Sequence, residues 1–102
     1  MALLEFSITP LGAGESVSMY VARCVDLIDH SGLDYQLHAM GTVVEGDLDQ
    51  LLGLLKQCVE AVAQDCDRVS VSAKLDCRKG HTGSLGAKVA SIEKRLGRSV
   101  KK

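Results

Sequence analysis

The sequence predicts an α+β fold, and three observations lead to that prediction. Short segments near the two ends and in the middle alternate apolar and polar residues, as half-buried strands do. Two longer segments place apolar residues at helical spacing. The two middle strands are separated by one short glycine-containing turn, which is typical of a hairpin. The order β-α-β-β-α-β, followed by a C-terminal helix, corresponds to a ferredoxin-like domain with a four-stranded antiparallel sheet.

Length and composition restrict the classes of function. The chain has 102 residues, a length that suits one domain spanning residues 1–102, and 46% of them are apolar. The net charge of −1 and the scarcity of aromatic residues argue against a nucleic-acid partner. No apolar run approaches the length of a membrane span, and the N-terminus lacks the basic start of a signal peptide. We therefore expect a cytoplasmic protein without a membrane partner.

The first third of the chain contains a strand and a helix. A strand is predicted over Leu3–Thr9, and Pro10 should end it because proline cannot donate to a ladder. A glycine-containing turn then leads to a helix over Ser16–Ser31, with Ser16 as its N-cap. Gly32 should stop this helix in the left-handed C′ position. One face of the strand is expected to be buried: Leu4, Phe6 and Ile8.

The middle third contains the hairpin and the longest helix. The stretch DYQLHAMGTVVEG, residues 34–46, runs as two strands around a turn at Met40-Gly41. Asp47 and Gln50 form a capping-box pattern before a helix over Leu48–Gln64. This helix should contribute most to the core through one wide stripe: Leu48, Leu51, Leu52, Leu55, Cys58, Val59 and Val62.

The last third contains a strand, a helix and a basic tail. Arg68–Asp76 alternates cleanly, which predicts a strand with one inward face, formed by Val69, Val71, Ala73 and Leu75. Helical spacing predicts a helix over Ser84–Leu96, stopped by Gly97. The tail, Arg98–Lys102, is expected to fray.

The sheet face away from the two long helices should be rich in small hydroxyl groups. Its expected residues are Glu5, Ser7, Thr9, Ser70, Ser72 and Lys74, joined by Thr42 or Glu45 according to the hairpin register. Three interpretations remain open at this point: a polar face in water, a face for subunit packing, or a shallow polar ligand site. The last two are compatible, because ligand grooves often lie at subunit boundaries.

Few motifs point to catalysis or to metal binding. Gly12-Ala13-Gly14 lacks the lysine of a P-loop, and a plain turn is favoured, although the helix start beyond it could hold an anion. The three histidines show neither metal-ligand spacing nor a catalytic signature. Cys24 and Cys58 lie on helical apolar stripes and should be buried, reduced and structural. No cofactor, no metal site and no catalytic residue is predicted.

Three segments resemble a known family. They are SITPLGAGESVSMYVA (7–22), SGLDYQLHAMGTVVEG (31–46) and RVSVSAKLDCRKG (68–80). They are similar to the small thiamine-binding protein family, which comprises the YkoF-like and UPF0045 proteins. The resemblance implies a ferredoxin-like subunit that pairs through its sheets into dimers and often tetramers. Some members carry two copies of the domain and this chain carries one, which implies self-association.

The resemblance also implies a ligand: thiamine or its hydroxymethyl-pyrimidine part, held without catalysis by a carrier or sensor. Hydroxyl and carboxylate groups can meet an aminopyrimidine, and a carboxylate would favour the cationic thiazolium. The expected ligand-binding residues are Ser7, Thr9, Ser16, Met40, Thr42, Glu45 and Ser72. Two alternatives stand beside this hypothesis: a structural or regulatory oligomeric module, and a small enzyme acting on a thiamine precursor.

Overall fold

The computed structural model describes residues 1–12, 17–80 and 83–102. Four strands form one antiparallel sheet in the order β2-β3-β1-β4, and three helices accompany it. This arrangement confirms the predicted fold class. The strands are β1 (Ala2–Leu11), β2 (Asp34–His38), β3 (Gly41–Gly46) and β4 (Arg68–Cys77); the helices are α1 (Ser18–His30), α2 (Leu48–Ala63) and α3 (Ser84–Leu96).

The core lies between one face of the sheet and the paired helices α1 and α2. Leu4 of β1 stands opposite Val44 of β3, and both are fully buried beneath Ile28 of α1 and Leu51 of α2. Arg23 of α1 forms an ion pair with Asp65, which follows α2; the distance from Arg23 Nη1 to Asp65 Oδ2 is 2.6 Å. Burying each large aliphatic side chain stabilises the fold by roughly 1.5–3 kcal/mol, so this layer dominates the stability of the chain.

Local sequence signals set the ends of the two long helices. Gly32 takes the left-handed conformation, with φ of 75°, immediately after the last turn of α1. Asp47 and Gln50 form the predicted capping box, in which the Asp47 N–H donates to Gln50 Oε1 at 3.1 Å. α1 begins at Ser18 with Val17 in the N-cap position. The predicted cap, Ser16, lies outside the described residues.

Two predicted details of packing are wrong. β1 continues through Pro10, which pairs with Val69, because beyond Phe6 this strand has β4 as its neighbour but no pairing with β3. The buried stripe of α2 consists of Leu51, Leu54, Cys58 and Val62, so it includes Leu54, while Leu48 and Leu52 are exposed. The fully covered stripe of α2 is therefore narrower than predicted.

The third helix lies on the opposite face of the sheet, against β3 and β2. None of its residues is buried, and Ile92 and Leu96 remain exposed. The tail behind it, which is predicted to fray, contacts α3: the carboxylate of Glu93 accepts hydrogen bonds from the Val100 N–H at 2.9 Å and from Lys102 Nζ at 2.7 Å. No helix in the described ranges has the length and hydrophobicity needed to cross a bilayer.

Candidate functional site

A cleft of about 240 Å³ opens between α1 and the end of the hairpin. Its floor is a row of three residues that face each other across the sheet: Leu37 of β2, Thr42 of β3 and Phe6 of β1. Val21 of α1 forms the opposite wall. Met40 lies at the rim with 83% of its surface exposed, so its side chain is free to pack on a ligand.

The backbone of the hairpin approaches β1 closely beside this floor. A Cβ atom added to Gly41 would lie 2.7 Å from the carbonyl oxygen of Phe6, nearer than any side chain tolerates. Glycine is therefore required at the hairpin turn, which runs through Ala39-Met40, one residue earlier than predicted. The close approach places Thr42 directly beside Phe6 and keeps the cleft narrow.

Thr42 is the polar residue on the floor. Its exposure is only 6%, and its hydroxyl makes no hydrogen bond within the described parts of the chain. In the described ranges every fully buried side-chain N or O atom has a partner, so the Thr42 hydroxyl opens on the cleft. A ligand with a donor or acceptor at this position can bond to it. The cleft therefore combines apolar walls with one available hydrogen-bonding group, as small-molecule sites commonly do.

A pair of thiols lies at the inner wall of the cleft. Cys24 of α1 lines it, and Cys58 of α2 is fully buried behind it. Each sulfur lies near the backbone carbonyl oxygen of the other residue, at 3.9 Å for Cys24 Sγ and 3.8 Å for Cys58 Sγ. The predicted burial of both cysteines is confirmed, and both are free thiols.

The hydroxyl-rich face of the sheet forms a second polar surface. Ser7 stands opposite Ser72, and Thr9 stands opposite Ser70, on the two strands β1 and β4. Glu5 on the same face lies 3.6 Å from the imidazole Nε2 of His38, whose Nδ1 accepts the Met40 N–H. This surface is shallow and open, and α3 does not extend over its β4 side.

Glu45 occupies a separate position. It is only 4% exposed, and its carboxylate accepts a hydrogen bond of 2.8 Å from the Ser84 N–H at the first turn of α3. A buried carboxylate at a helix N-terminus stabilises that helix. The register places Glu45 opposite Leu3, four residues from Ser7 along β1, so its carboxylate is remote from the cleft.

The structure thus brings together only part of the predicted set. Ser7, Thr9, Met40 and Thr42 all border the cleft, Ser72 lies on the hydroxyl-rich face, and Glu45 lies under α3. Ser16 is outside the described residues. Sequence reasoning missed the apolar members of the cleft: Phe6, Val21 and Leu37. Their spacing indicated core positions, and nothing local showed that the core opens beside α1.

Comparisons with known proteins identify the family of this chain. The family model described as thiamine-binding protein matches residues 4–93. UPF0045 protein Mb1933 of Mycobacterium bovis is 42% identical over 95 residues, covering 92% of this chain and 93% of the relative. UPF0045 protein MJ1052 of Methanocaldococcus jannaschii is 42% identical over 88 residues, covering 86% of this chain and 88% of the relative.

Solved structures support the same relationship. The crystal structure of MJ1052 superposes with a TM-score of 0.81 at 41% identity, covering 89% of this chain and 94% of that one. A Thermotoga maritima protein, whose name connects it with thiamine biosynthesis or salvage, superposes with a TM-score of 0.78 at 18% identity, covering 89% of this chain and 97% of that one. The second likeness concerns the fold alone. The matched family model and the similar relatives together show that this chain belongs to the thiamine-binding protein family that includes the UPF0045 proteins.

Proposed function

We propose that the chain is a cytoplasmic, non-catalytic binding protein for thiamine or its hydroxymethyl-pyrimidine part, acting as a carrier or sensor. The observation that carries the proposal is the free hydroxyl of Thr42 on the floor of an apolar cleft in a member of this family. A flat aminopyrimidine offers apolar faces to Phe6 and Val21 and a polar edge to Thr42.

The size of the cleft supports a ligand with one ring in the site. Pockets for drug-sized molecules have volumes of about 300–1,000 Å³, and this cleft is smaller. We infer that the pyrimidine enters and that the remainder of thiamine lies outside, near Met40 and the borders of β1 at Ser7 and Thr9. Met40 then covers the ring as an adaptable apolar wall.

Self-association is the second part of the proposal. β4 is a ten-residue edge strand, and Val71 and Leu75 are exposed on the face that elsewhere forms the core. Unprotected edges and exposed apolar rows favour pairing with another strand. We propose a homodimer, or a tetramer built from two of them, and sedimentation showing a monomer at micromolar concentration would contradict this.

The test of the site is a Thr42→Val variant in calorimetric titrations with thiamine, its phosphates and the free pyrimidine alcohol. Valine preserves the shape and removes the hydroxyl. We expect the affinity for thiamine and for the pyrimidine to fall by roughly 2- to 12-fold, which corresponds to one hydrogen bond of about 0.5–1.5 kcal/mol. The free energy of unfolding should not fall, because no protein hydrogen bond is lost.

Ser72→Ala is the matched control, because Ser72 stands opposite Ser7 on the hydroxyl-rich face but does not line the cleft. It should bind as the unaltered protein does. Lost affinity in Ser72→Ala together with normal affinity in Thr42→Val would move the site to the open face. Absence of binding by any compound of the panel to a well-folded oligomer would favour a purely structural module.

A further inference from the structure

We propose that Cys24 and Cys58 are a redox-active dithiol, which a peroxide entering the cleft converts into a disulfide between α1 and α2. The proposal concerns a modification site and is independent of the identity of the ligand. It differs from a role in packing alone, because packing requires neither access from the cleft nor contact between the two thiols.

The geometry places the two thiols where they can react. α1 and α2 pack against each other at these residues, and each sulfur lies within 4 Å of the other residue's carbonyl oxygen. Small side chains at the crossing allow this close approach. A disulfide needs two thiols carried by neighbouring backbones, and the reciprocal contacts place each thiol against the backbone of the other residue.

The two cysteines have different access and different acidity. Cys24 is mostly buried but lines the cleft with 6% of its surface exposed, whereas Cys58 is fully buried. The interaction with the neighbouring Cys58 side chain lowers the pKa of Cys24 against the opposing effect of burial. The same interaction, together with burial, raises the pKa of Cys58. Cys24 is therefore the accessible nucleophile, and Cys58 is the thiol behind it.

The chemistry balances with one molecule of hydrogen peroxide. The Cys24 thiolate attacks one peroxide oxygen, the O–O bond breaks, and the leaving hydroxide takes up the proton that the Cys24 thiol released, which gives a sulfenic acid at Cys24 and the first water. The Cys58 sulfur then attacks the Cys24 sulfur, the S–O bond breaks, and a second water forms from the released hydroxide and the Cys58 proton. Overall, two thiols are oxidised, the peroxide is reduced to two waters, and reducing thiols reverse the change.

The two other cysteines would also react with peroxide and must be removed for the experiment. Cys77 is exposed and Cys66 is partly exposed, so both could be oxidised without any special geometry. The experiment therefore uses the full chain with Cys66→Ser and Cys77→Ser. This protein is prepared reduced, treated with hydrogen peroxide, and analysed by intact mass and peptide mapping.

We expect the loss of two hydrogen atoms per chain, mapped to a link between Cys24 and Cys58 and restored by a reducing thiol. Adding Cys58→Ala should instead leave Cys24 as a sulfenic acid that a dimedone probe captures, and adding Cys24→Ala should leave Cys58 unreacted. Circular dichroism checks that both variants are folded. Intact thiols after complete oxidation of an exposed reference thiol, or stable sulfinic acid at Cys24 with Cys58 present, would overturn the proposal.

A separate arm repeats the oxidation with saturating thiamine and rests on the proposed function. A ligand in the cleft covers Cys24 and should slow disulfide formation several-fold. If the disulfide forms at the same rate with thiamine bound, the placement of the ligand in the cleft is wrong while the dithiol proposal stands.

Discussion

Leu4 and Leu75 stand opposite each other on neighbouring strands and point to the same side of the sheet, yet their surroundings differ. Leu4 on β1 is fully buried, whereas Leu75 on β4 is 42% exposed. α2 packs against β1, β3 and β4. Val69 near the start of β4 packs against the core, whereas Leu75 near its end does not. The alternation of apolar and polar residues therefore identifies the face on which a residue lies, but not whether anything covers that face.

The same contrast separates two regions of the molecule. The helix-covered region holds the buried core and the cleft. β4, at one edge of the sheet, and α3, on the opposite face against β3 and β2, contain no buried side chain among the residues that the structure describes. The large apolar residues Val71 and Leu75 on β4 are exposed on one side of the sheet, and such rows favour pairing with another molecule.

The largest expected effect on stability concerns Leu4 and Leu75. Leu4→Ala should lower the free energy of unfolding by about 2–5 kcal/mol, because it leaves a cavity in a packed core. Leu75→Ala should lower it by roughly 1 kcal/mol or less at low protein concentration, since its side chain is half exposed. Urea denaturation at two protein concentrations measures both, and a loss for Leu75→Ala that grows with concentration would show that self-association buries it.

Gly41→Ala tests the close approach that forms the floor of the cleft. The added Cβ would meet the Phe6 carbonyl oxygen at 2.7 Å, so the hairpin must move away from β1. We expect a loss of about 1–3 kcal/mol in the free energy of unfolding, together with weaker thiamine binding.

Gly53→Ala is the control for the glycine substitution. Gly53 lies within α2, and a Cβ there would meet no heavy atom within 4 Å. Alanine should raise the free energy of unfolding by up to about 1 kcal/mol through its helix propensity. Equal effects of the two variants in thermal melts would contradict the steric explanation.

Glu45→Gln distinguishes the cap of α3 from a role in the ligand site. The variant preserves shape and removes the charge that the Ser84 N–H meets, so we expect a loss of about 1 kcal/mol and faster amide exchange in the first turn of α3. The sequence predicts in addition that Glu45 contributes to ligand binding, with an affinity loss of about ten- to a hundredfold. Calorimetry and sedimentation on the same sample separate these outcomes. Unchanged ligand affinity together with a frayed α3 would mean that Glu45 only caps the helix and does not bind the ligand.

The smallest expected effect concerns the C-terminal tail and depends on pH. The Lys102 ammonium, and after it the Val100 N–H, hold the pKa of Glu93 below its ordinary value of 4.5. A lowered carboxyl pKa means that the tail contacts are fully present above pH 4.5 and are lost as the pH falls through the depressed pKa.

Amide exchange at Val100, measured above and below pH 4.5, tests this contact. Protection should fall on acidification in the unaltered chain and should be low and independent of pH in Glu93→Gln. Lys56→Gln serves as control, because its ion pair with Glu60 is an exposed contact within α2 and does not involve the tail.

The sequence by itself determined the elements and their order. Period-2 alternation, helical spacing, the Asp47–Gln50 box and the glycines at 32 and 97 are local signals, and each acts through neighbours within a few residues. They predicted α3 over Ser84–Leu96 with the bounds that the structure has. The family resemblance came from equally local segments, which is why it was visible without a structure.

Only the tertiary structure decided which apolar residues are buried and where a ligand could enter. The exposure of Leu75, the burial of Leu54 and the placement of Glu45 beneath α3 depend on the position and extent of elements distant in sequence. The cleft likewise arises where α1 diverges from the hairpin, so Phe6, Leu37 and Thr42 meet across three strands. Burial is a property of what lies opposite in space, and no pattern within a single segment contains that information.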